Sequence, residues 1–500
     1  MHADYVNQRT VTMLDGLTRL NLTIRRCPNP DCAAFKRPCR PEAEGRFALP
    51  RHEFGLDVIA RIGALRYAEH RAVPEIHCDL TGRGLAIAEG TVTNLLDRYD
   101  ELLAVRLADN RRLQRILRRQ GKVVLAIDGL QPDMGHEVLW VIRDCLSGEV
   151  LSAKSLLSAR QHDLAELLKA VVAAVGVPIQ AVVSDGQQSV RKAVTAALPG
   201  VPHQLCQFHY LREAARPISD ADRHVKKELK KKVRGVRKIE RAIEGRDDSM
   251  AEVIRGYCGA ERAALTDDGR PPLAAPGLKL NERLGAISDS LGRVAEKGGC
   301  RQKLEKLQSL IDRGRSAMAA LWPPIAEPYD WVFRTAHILA DTCAAGDLVR
   351  DRLAGLTNAM AETLVGPLAA AKQHFLKMTA SYWPGLFWCY DVPGLPRTNN
   401  DLEQFFGSVR YHQRRATGRK QPGPALVVRG IARLIAASAT QHGSFTAADL
   451  AEADPAQWAE LRHDLDEHRQ RRVDHRRFRR DPERYLKRLE DLFVQSRLPA

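Results

Sequence analysis

The spacing of hydrophobic residues predicts helices in the region that follows the first fifty residues. Apolar side chains recur at helical spacing over 54–67, 73–80 and 87–107, and Gly82 and Gly84 separate the last two segments. A short helix, a glycine-containing turn and a longer helix follow one another in a helix-turn-helix motif. Two ordinary packed helices show the same pattern, so both interpretations stay open.

From Gly121 the pattern changes to short apolar runs that predict strands. Strands are predicted over 122–127, 137–142 and 150–156, followed by helices over 163–175 and 187–198 that alternate with strands over 179–184 and 203–205. The order β-β-β-α-β-α-β predicts a mixed sheet with helices packed against it, as in ribonuclease H-like domains. The expected fold class is therefore α+β with a ribonuclease H-like core.

The two ends of the chain and the segment after Cys206 have different patterns. Residues 1–52 are rich in Cys, Pro and Arg with little periodicity, which predicts a small module held by something other than a hydrophobic core. After Cys206 helical spacing dominates, and a further helix is expected to begin at Asn399 or Asn400. Six regions are predicted: a zinc-finger-like module (1–52), a helix-turn-helix region (53–118), the first part of the core (119–212), an all-α insertion (213–395), the last part of the core (396–440) and a basic helical tail (441–500).

Length and composition exclude several classes of protein. The chain has 500 residues, of which 44% are hydrophobic, so extensive disorder is not expected. Its longest nearly apolar run, 170–183, is shorter than the roughly 20 residues that a membrane-spanning helix needs. The N-terminus lacks the charged-then-apolar pattern of a secretion signal, which predicts a cytoplasmic protein without disulfide bonds.

The charge of the chain points to a polyanionic partner. There are 77 Lys and Arg residues against 61 Asp and Glu residues, a net charge of +16. Much of the excess lies in 223–246, 410–420 and 462–488. Any one of these stretches could be a solvated helix face, but three of the same sign favour contacts with nucleic-acid phosphates. The middle stretch carries no acid, and its bases are Arg410, Arg414, Arg415, Arg419 and Lys420.

Two aspartates end predicted strands. Asp128 follows the run 122–127 and Asp185 follows the run 179–184, each with a glycine next in the chain, which predicts a sharp turn at both places. A single aspartate at a strand end is more often a turn former than a ligand. Two of them can converge on a hard cation, because the ends of neighbouring strands open onto a common crevice.

A third carboxylate, Glu403, lies in the segment PRTNNDLEQFFGSVR. Asn400 and Glu403 match the spacing of a helix capping box, which would give Glu403 a purely structural role. However, Phe405 and Phe406 are suited to anchoring the helix, and the arginines that follow suit phosphate. Two aspartates and a glutamate could hold two divalent ions, one activating a water or a 3′-hydroxyl and the other stabilising the leaving oxygen.

Taken together, these motifs resemble those of DDE transposases of bacterial insertion sequences, of the Mutator-like type. The resemblance covers about residues 120–420 and rests on IDG at Asp128, SDG at Asp185, the CQFH pair of Cys206 and His209, and TNNDLEQFF at Glu403. It implies a ribonuclease H-like core that cuts DNA at element ends and joins the 3′-hydroxyls to target DNA without a covalent protein intermediate. It also implies that Asp128, Asp185 and Glu403 bind Mg²⁺ or Mn²⁺.

Cys206 and His209 form a CxxH pair of the kind seen in similar transposases, close to the catalytic core. Two residues alone do not make a zinc site. A local structural or DNA-positioning role, ordinary core packing and metal binding are the alternatives, in that order of preference.

The N-terminal cysteines are better candidates for zinc. Cys27 and Cys32 flank a Pro-rich turn in a segment with no apparent core, and Cys39 and His52 are the nearest further ligands. His70, His77 and Cys78 are the alternative ligands. The resemblance implies that such a finger and the helix-turn-helix together read terminal inverted repeats. Residues of the second helix expected to face a DNA groove are Thr91, Thr93, Asn94 and Arg98.

The sequence therefore predicts an active transposase that acts on double-stranded DNA, namely terminal inverted repeats and target DNA. A homodimer is expected because two element ends must be brought together, and a DNA-bound enzyme in the cytoplasm would associate with the nucleoid. Two other functions compete with this prediction. One is a non-catalytic zinc-finger and helix-turn-helix regulator derived from a transposase, and the other is a structure-selective nuclease on the same fold.

Overall fold

The structure is a computed structural model of the chain that describes residues 2–33, 35–130, 137–267, 269, 271–298, 302–362, 369–418 and 424–496. The chain divides into two compact units. Unit 1 consists of Met1–Val182, Gln188–Val201 and Asn399–Ala500. Unit 2 consists of Val183–Gln187 and Pro202–Thr398.

Unit 1 begins with a small antiparallel sheet that the sequence pattern did not predict. Its strands are β1 (His2–Met13), β2 (Gly16–Arg26) and β3 (Pro38–Cys39), in the order β1-β2-β3. Leu22 and Ile24 are buried on one face of β2, while Thr23 between them is exposed. This alternation, together with the Asp15-Gly16 pair at the turn, is the usual sequence pattern of a hairpin. The expectation of little periodicity in this segment was therefore wrong.

The helices predicted after this sheet are present. They are α1 (Leu56–Tyr67), α2 (Val73–Gly82), α3 (Glu89–Leu107) and α4 (Asn110–Gln120), preceded by a short 3-10 turn at Glu42–Arg46. Gly63 of α1 faces the ring of Tyr99 of α3, where a Cβ atom would lie 2.3 Å from the ring. The two helices therefore pack closely at this glycine.

A five-stranded sheet follows, with the element order that the sequence predicts. Its strands and flanking helices are β4 (Val123–Leu130), β5 (Val138–Asp144), β6 (Val150–Leu156), α5 (Gln161–Val175), β7 (Ile179–Ser184), α6 (Gln188–Ala197) and β8 (His203–Leu205). The strand order is β6-β5-β4-β7-β8, and β5 is antiparallel to both β4 and β6. At the start of β4, Val123 donates its N–H to the carbonyl of Pro178, which precedes β7, at 3.0 Å. Apolar residues of α5 and α6, such as Leu168 and Val194, pack against this sheet.

Unit 2 is helical after β8 in its described residues, as the predicted all-α insertion requires. Its helices are α7 (Gln207–Ala214), α8 (Arg216–Lys232), α9 (Val236–Arg241), α10 (Ser249–Thr266), α11 (Pro276–Glu296), α12 (Gln302–Ser316), α13 (Pro323–Ala340), α14 (Gly346–Glu362), α15 (Ala369–Tyr382) and α16 (Trp388–Asp391). Short 3-10 turns lie at Ala319–Leu321 and Trp383–Gly385. One continuous core of buried apolar side chains holds these helices together.

The C-terminal helices return to unit 1. They are α17 (Asn400–Thr417), α18 (Pro424–His442), α19 (Ala447–Ala451), α20 (Pro455–Arg480) and α21 (Pro482–Ser496). Residues of α18 and α19 share a core with α1 and α3. Within it, the hydroxyls of Tyr99 and Thr440 form a buried hydrogen bond of 2.7 Å. In the parts of the chain that the structure describes, no helix is both long and apolar enough to cross a bilayer.

Candidate active site and nucleic-acid interface

Asp128 lies within β4 of unit 1 rather than at a turn. The strand continues to Leu130, and Asp128 pairs with Val141 of β5. The Oδ1 atom of Asp128 accepts the N–H of Gly129 at 2.8 Å, and the side chain is half-buried. The sharp turn predicted at Gly129 was wrong. A Cβ at Gly129 would lie 2.9 Å from Val138 and 3.3 Å from Trp140, so this glycine makes room for neighbouring side chains.

Asp185, in unit 2, does lie at a turn. Gly186 has a φ of +90°, which favours glycine, and a Cβ there would lie 2.7 Å from the Tyr382 ring. The Tyr382 hydroxyl donates to the carbonyl of Asp185 at 3.2 Å. The Oδ1 atom of Asp185 accepts the N–H of Gln187 at 2.9 Å, so the carboxylate is oriented by the turn that follows it.

The CxxH pair lies beside this turn in unit 2. Cys206 is fully buried and donates its N–H to the carbonyl of Ser184, the residue before Asp185, at 2.8 Å. The Ser184 hydroxyl is also 2.9 Å from Nε2 of His203. His209 is 8% exposed. The position of Cys206 is consistent with local structural support of the Asp185 turn.

Two glutamines next to the CxxH pair have structural roles that the sequence did not indicate. Gln207 donates through its side-chain amide to the carbonyl of Leu386 at 2.9 Å and to the hydroxyl of Tyr390 at 3.0 Å. Gln204 accepts the N–H of Cys389 at 2.9 Å. Both glutamines are buried, so they tie the segment around β8 to α16 through the interior of unit 2.

Glu403 lies on the first turn of α17 in unit 1. The N-cap residue is Asn399, one position earlier than a capping box with Glu403 requires. The Asn399 side chain, 2% exposed, donates instead to the carbonyl of Ile127 at 3.4 Å. Phe405 and Phe406 are buried, as predicted. The helix that carries Glu403 is thereby joined to the strand that carries Asp128.

The other end of α17 is also held in unit 1. Arg66 of α1, which is 9% exposed, donates to the carbonyls of Ala416 at 3.4 Å and Arg71 at 3.1 Å. A cation at the C-terminal end of a helix is favoured by the helix dipole. The helix that bears Glu403 is therefore fixed at both of its ends.

The basic residues predicted on and after α17 fall into two groups. Arg410, Arg414 and Arg415 are exposed on α17, as a phosphate-binding surface requires. Arg419 and Lys420 lie outside the described residues.

The residues predicted to face DNA from α3 differ in their surroundings. Thr93 and Asn94 are exposed and Thr91 is half-buried. Arg98, in contrast, forms an ion pair with the buried carboxylate of Glu101. The structure therefore leaves Thr93 and Asn94 of α3 accessible and engages Arg98 within the protein.

Arg98 belongs to a buried cluster of charges that local sequence patterns did not reveal. Arg433 of α18 donates to Asp100 and to Asp97, each at 3.0 Å. Arg429 donates to Glu101 at 2.6 Å. Asp100 and Glu101 are almost completely buried, and these ion pairs hold α18 against α3. Removing one arginine would leave a buried carboxylate without its counter-charge, which is strongly destabilising.

The proposed zinc ligands are not all brought together. Cys27, Cys32 and Cys39 are half-buried thiols near the open end of the β1-β2 hairpin, where Cys39 pairs with Arg25. His52 lies near the hairpin turn instead, because the carbonyl of the next residue, Glu53, accepts the N–H of Thr12. Thr12 pairs with Leu17 of β2, which precedes Arg25 by eight residues. At about 3.4 Å per residue this is about 27 Å along the strand.

The surroundings of His52 also differ from a metal site. Its ring centroid lies 6.5 Å from that of Trp458. Burial, followed by the positive charges of Arg98 and Arg462, holds the pKa of His52 below its ordinary value. Over the described residues as a whole, no three His, Cys, Asp or Glu side chains form a group that could hold a metal ion.

Comparison with known proteins identifies one segment of the chain. Residues 165–266 match a family model described as Transposase, Mutator family. The matched segment contains Asp185, Cys206 and His209, whereas Asp128 and Glu403 lie outside it. The match confirms the resemblance to Mutator-like transposases over this segment. None of the curated proteins compared with the chain matches it.

Proposed function

We propose that this protein is a transposase that binds the terminal inverted repeats of an insertion sequence and catalyses DNA cleavage and strand transfer. The match of residues 165–266 to Mutator-family transposases supports a transposase, and a protein of that kind would bind DNA. The observation that carries the catalytic part of the proposal is the hydrogen bond from Asn399 to Ile127, which joins the Glu403 helix to the Asp128 strand.

Asp128, Asp185 and Glu403 are the proposed catalytic residues, within a ribonuclease H-like core. Asp185 directly follows β7, the neighbour of β4 in the sheet, and the two strands begin at the same end. The matching IDG and SDG motifs at the two aspartates support a shared role for Asp128 and Asp185. The three residues offer the right type of donor, because carboxylate oxygens are the preferred ligands of Mg²⁺ and Mn²⁺.

The three carboxylates would hold the metal and thereby orient the reacting DNA strand. When bound, Mg²⁺ or Mn²⁺ lowers the pKa of an attacking water or 3′-hydroxyl and stabilises the leaving oxygen. Asp128 and Asp185 each accept a backbone N–H through Oδ1, which fixes the direction of the carboxylate before DNA binds. Arg410, Arg414 and Arg415 extend from the same helix as Glu403 and would neutralise nearby phosphates.

Recognition of the element ends is assigned to the N-terminal part of unit 1. The exposed Thr93 and Asn94 on α3 would contact bases in a DNA groove, in a helix-turn-helix formed with α2. The three thiols of Cys27, Cys32 and Cys39 fit zinc by donor type. A bound zinc ion would hold the open end of the hairpin, where the hydrophobic core is small.

A cleavage assay tests the catalytic proposal. The full-length protein is incubated with Mg²⁺ and a duplex carrying the element's own ends, beside the Asp128→Asn, Asp185→Asn and Glu403→Gln variants. Cleavage by the parent and loss in all three variants, with end binding retained, is the expected result. Asp401→Asn is the matched control, because Asp401 is an exposed acid on the same turn of α17.

The outcomes of this assay separate the competing functions. A variant that still cuts would remove its residue from the mechanism. Specific binding of the ends by the parent without any cleavage would favour the non-catalytic regulator. Cleavage that depends on DNA structure, with no preference for element ends, would favour the nuclease.

A further inference from the structure

Helices α8 and α9 of unit 2 carry many exposed basic residues. Their apolar residues, such as Val225, Leu229 and Ile239, are buried in the core of the unit. The opposite face and the connection between the helices carry exposed bases. The α8–α9 surface is defined by Arg223, Lys227, Lys231, Lys232, Arg234, Arg237, Lys238 and Arg241.

The acids in this stretch do not balance its charge. Within residues 223–241 the acids are Glu228 and Glu240. Glu228 pairs with Lys231 at 2.5 Å, and Glu240 pairs with Arg262 of α10. Both carboxylates are therefore already engaged, and the surface retains a large excess of positive charge.

Other exposed arginines of unit 2 show the contrasting arrangement. Arg283 pairs with Asp267 at 2.5 Å, Arg350 pairs with Asp347 at 2.8 Å, and Arg352 pairs with Asp341 at 2.7 Å. A neighbouring acid therefore already balances each of these charges, whereas most bases of the α8–α9 surface have no acid beside them in the sequence.

The spacing of the bases suits a phosphate backbone. Arg223, Lys227 and Lys231 follow one another at intervals of four residues, which places them about 6 Å apart along one side of α8. Lysine and arginine side chains on such a row can reach successive phosphates without contacting bases. A surface of this kind binds DNA electrostatically, whatever its sequence.

The same surface lacks the features of a protein-binding site. Protein interfaces depend on apolar and aromatic anchors at their centre. None of the large exposed hydrophobic side chains in the described residues falls between Val172 and Val253. The surface therefore fits a polyanion better than an acidic protein.

We propose that the α8–α9 surface binds the phosphate backbone of double-stranded DNA without reading its sequence. The inference rests on the proposed function in so far as DNA is the substrate. It assigns non-specific DNA binding to unit 2, in addition to the recognition of DNA sequence assigned to α3 in unit 1.

The test is the salt dependence of DNA binding by the full-length protein. Binding of a fluorescent duplex of arbitrary sequence is measured between 50 and 200 mM salt for the parent and for a variant carrying Lys227→Gln, Lys232→Gln, Arg234→Gln and Lys238→Gln. Each lost phosphate contact reduces the slope of log K against log salt by about 0.9, so the expected reduction is about 2 to 4. A matched control carries Arg283→Gln, Arg334→Gln, Arg350→Gln and Arg352→Gln, with the same loss of charge. Each of these arginines of unit 2 is already paired with an acid, so the control should keep the parent slope.

Every outcome decides the proposal. An unchanged slope in the α8–α9 variant would overturn it, and so would an equal reduction in the matched control, since net charge alone would then explain the effect. Circular dichroism and melting curves establish that each variant is folded. Since the duplex carries no element end and no cutting is measured, a failure of the catalytic triad leaves this result intact and is recognised separately in the cleavage assay.

Discussion

The side chain of Asn399 donates a hydrogen bond to the carbonyl of Ile127, 272 residues earlier in the chain. Asn399 immediately precedes α17, and Ile127 immediately precedes Asp128. One buried amide thus sets the position of the Glu403 helix relative to the Asp128 strand within unit 1. Neither residue has to contact DNA for this bond to matter.

Replacing this amide is expected to affect both stability and catalysis. Asn399→Ala leaves the buried carbonyl of Ile127 without this donor, so the free energy of unfolding should fall by about 1 to 3 kcal/mol. Cleavage should fall more than DNA binding, because the helix that carries Glu403 loses its attachment to the Asp128 strand. Urea unfolding and the cleavage assay measure the two effects. The neighbouring substitution Asn400→Ala is the control, and equal losses in both variants would contradict the role of Asn399.

Gly186 is expected to tolerate no side chain. In Gly186→Ala the new Cβ would lie 2.7 Å from Tyr382, and the φ of +90° adds backbone strain, so a loss of about 2 to 4 kcal/mol is expected. Gly176→Ala is the matched control, because Gly176 has a φ of +65° with nothing within 4 Å of the new atom. Backbone strain alone should cost it about 1 kcal/mol. Chemical denaturation compares the two, and equal losses would show that the Tyr382 contact is unimportant.

The buried charge cluster predicts a large effect at Arg433. Arg433→Met leaves Asp97 and the fully buried Asp100 without this partner, so a destabilisation of about 3 to 5 kcal/mol is expected. Arg471→Met removes a solvent-exposed ion pair with Glu467 and should change stability by less than about 1 kcal/mol. Denaturant unfolding of both variants measures the difference. A small effect at Arg433 would mean that the cluster contributes little to holding α18 against α3.

Glu261 in α10 predicts a dependence of stability on pH. The side chain is fully buried, and burial, assisted by the negative charge of Glu240, raises the pKa of Glu261 from 4.5 to about 7. The folded protein therefore holds this proton more tightly than the unfolded chain does. The contribution of Glu261 to the free energy of unfolding is most favourable below pH 4.5 and declines as the pH rises. Above about pH 7 it is fully lost, and the protein is then less stable by on the order of 3 kcal/mol.

Unfolding of Glu261→Gln at several pH values tests this. The variant should lose the decline between pH 4.5 and 7 that the parent shows. Glu252→Gln, which removes an exposed acid from the same helix, should behave like the parent. Parallel pH profiles for the parent and Glu261→Gln would contradict the raised pKa.

Zinc analysis of the full-length protein tests the proposed finger. One equivalent of zinc is expected, with Cys27→Ser and Cys32→Ser reducing it because each removes a thiolate. His52→Ala should keep its zinc, since His52 lies near the other end of the hairpin. Elemental analysis measures the content. A parent protein without zinc would refute the proposed finger. Loss of zinc in His52→Ala would show that His52 is a ligand after all.

Local patterns were sufficient for the order of elements in the mixed sheet. The predicted strands over 179–184 and 203–205 have the observed bounds of β7 and β8, because a short apolar run between breaks depends only on adjacent residues. The turn at Gly186 was equally predictable, since a glycine after a strand end favours a positive φ. The helical character of the described residues within 213–395 followed from spacing alone.

Errors arose where a contact joins distant residues. Gly129 has the same sequence context as Gly186 but stays in a strand, because it pairs with Trp140 of β5. The surroundings of Arg98 were not predicted either, because it pairs with Glu101 in a cluster completed by Arg429 far along the chain.

By itself, then, the sequence determined which residues form helices and strands and which carry candidate chemistry. Hydrophobic periodicity and turn preference are properties of neighbouring residues, so they can be read without the fold. Only the tertiary structure decided that Asn399 bonds to Ile127 and that His52 faces Trp458. Those contacts depend on how separate elements pack, and no local pattern encodes which of many polar side chains a buried group will meet.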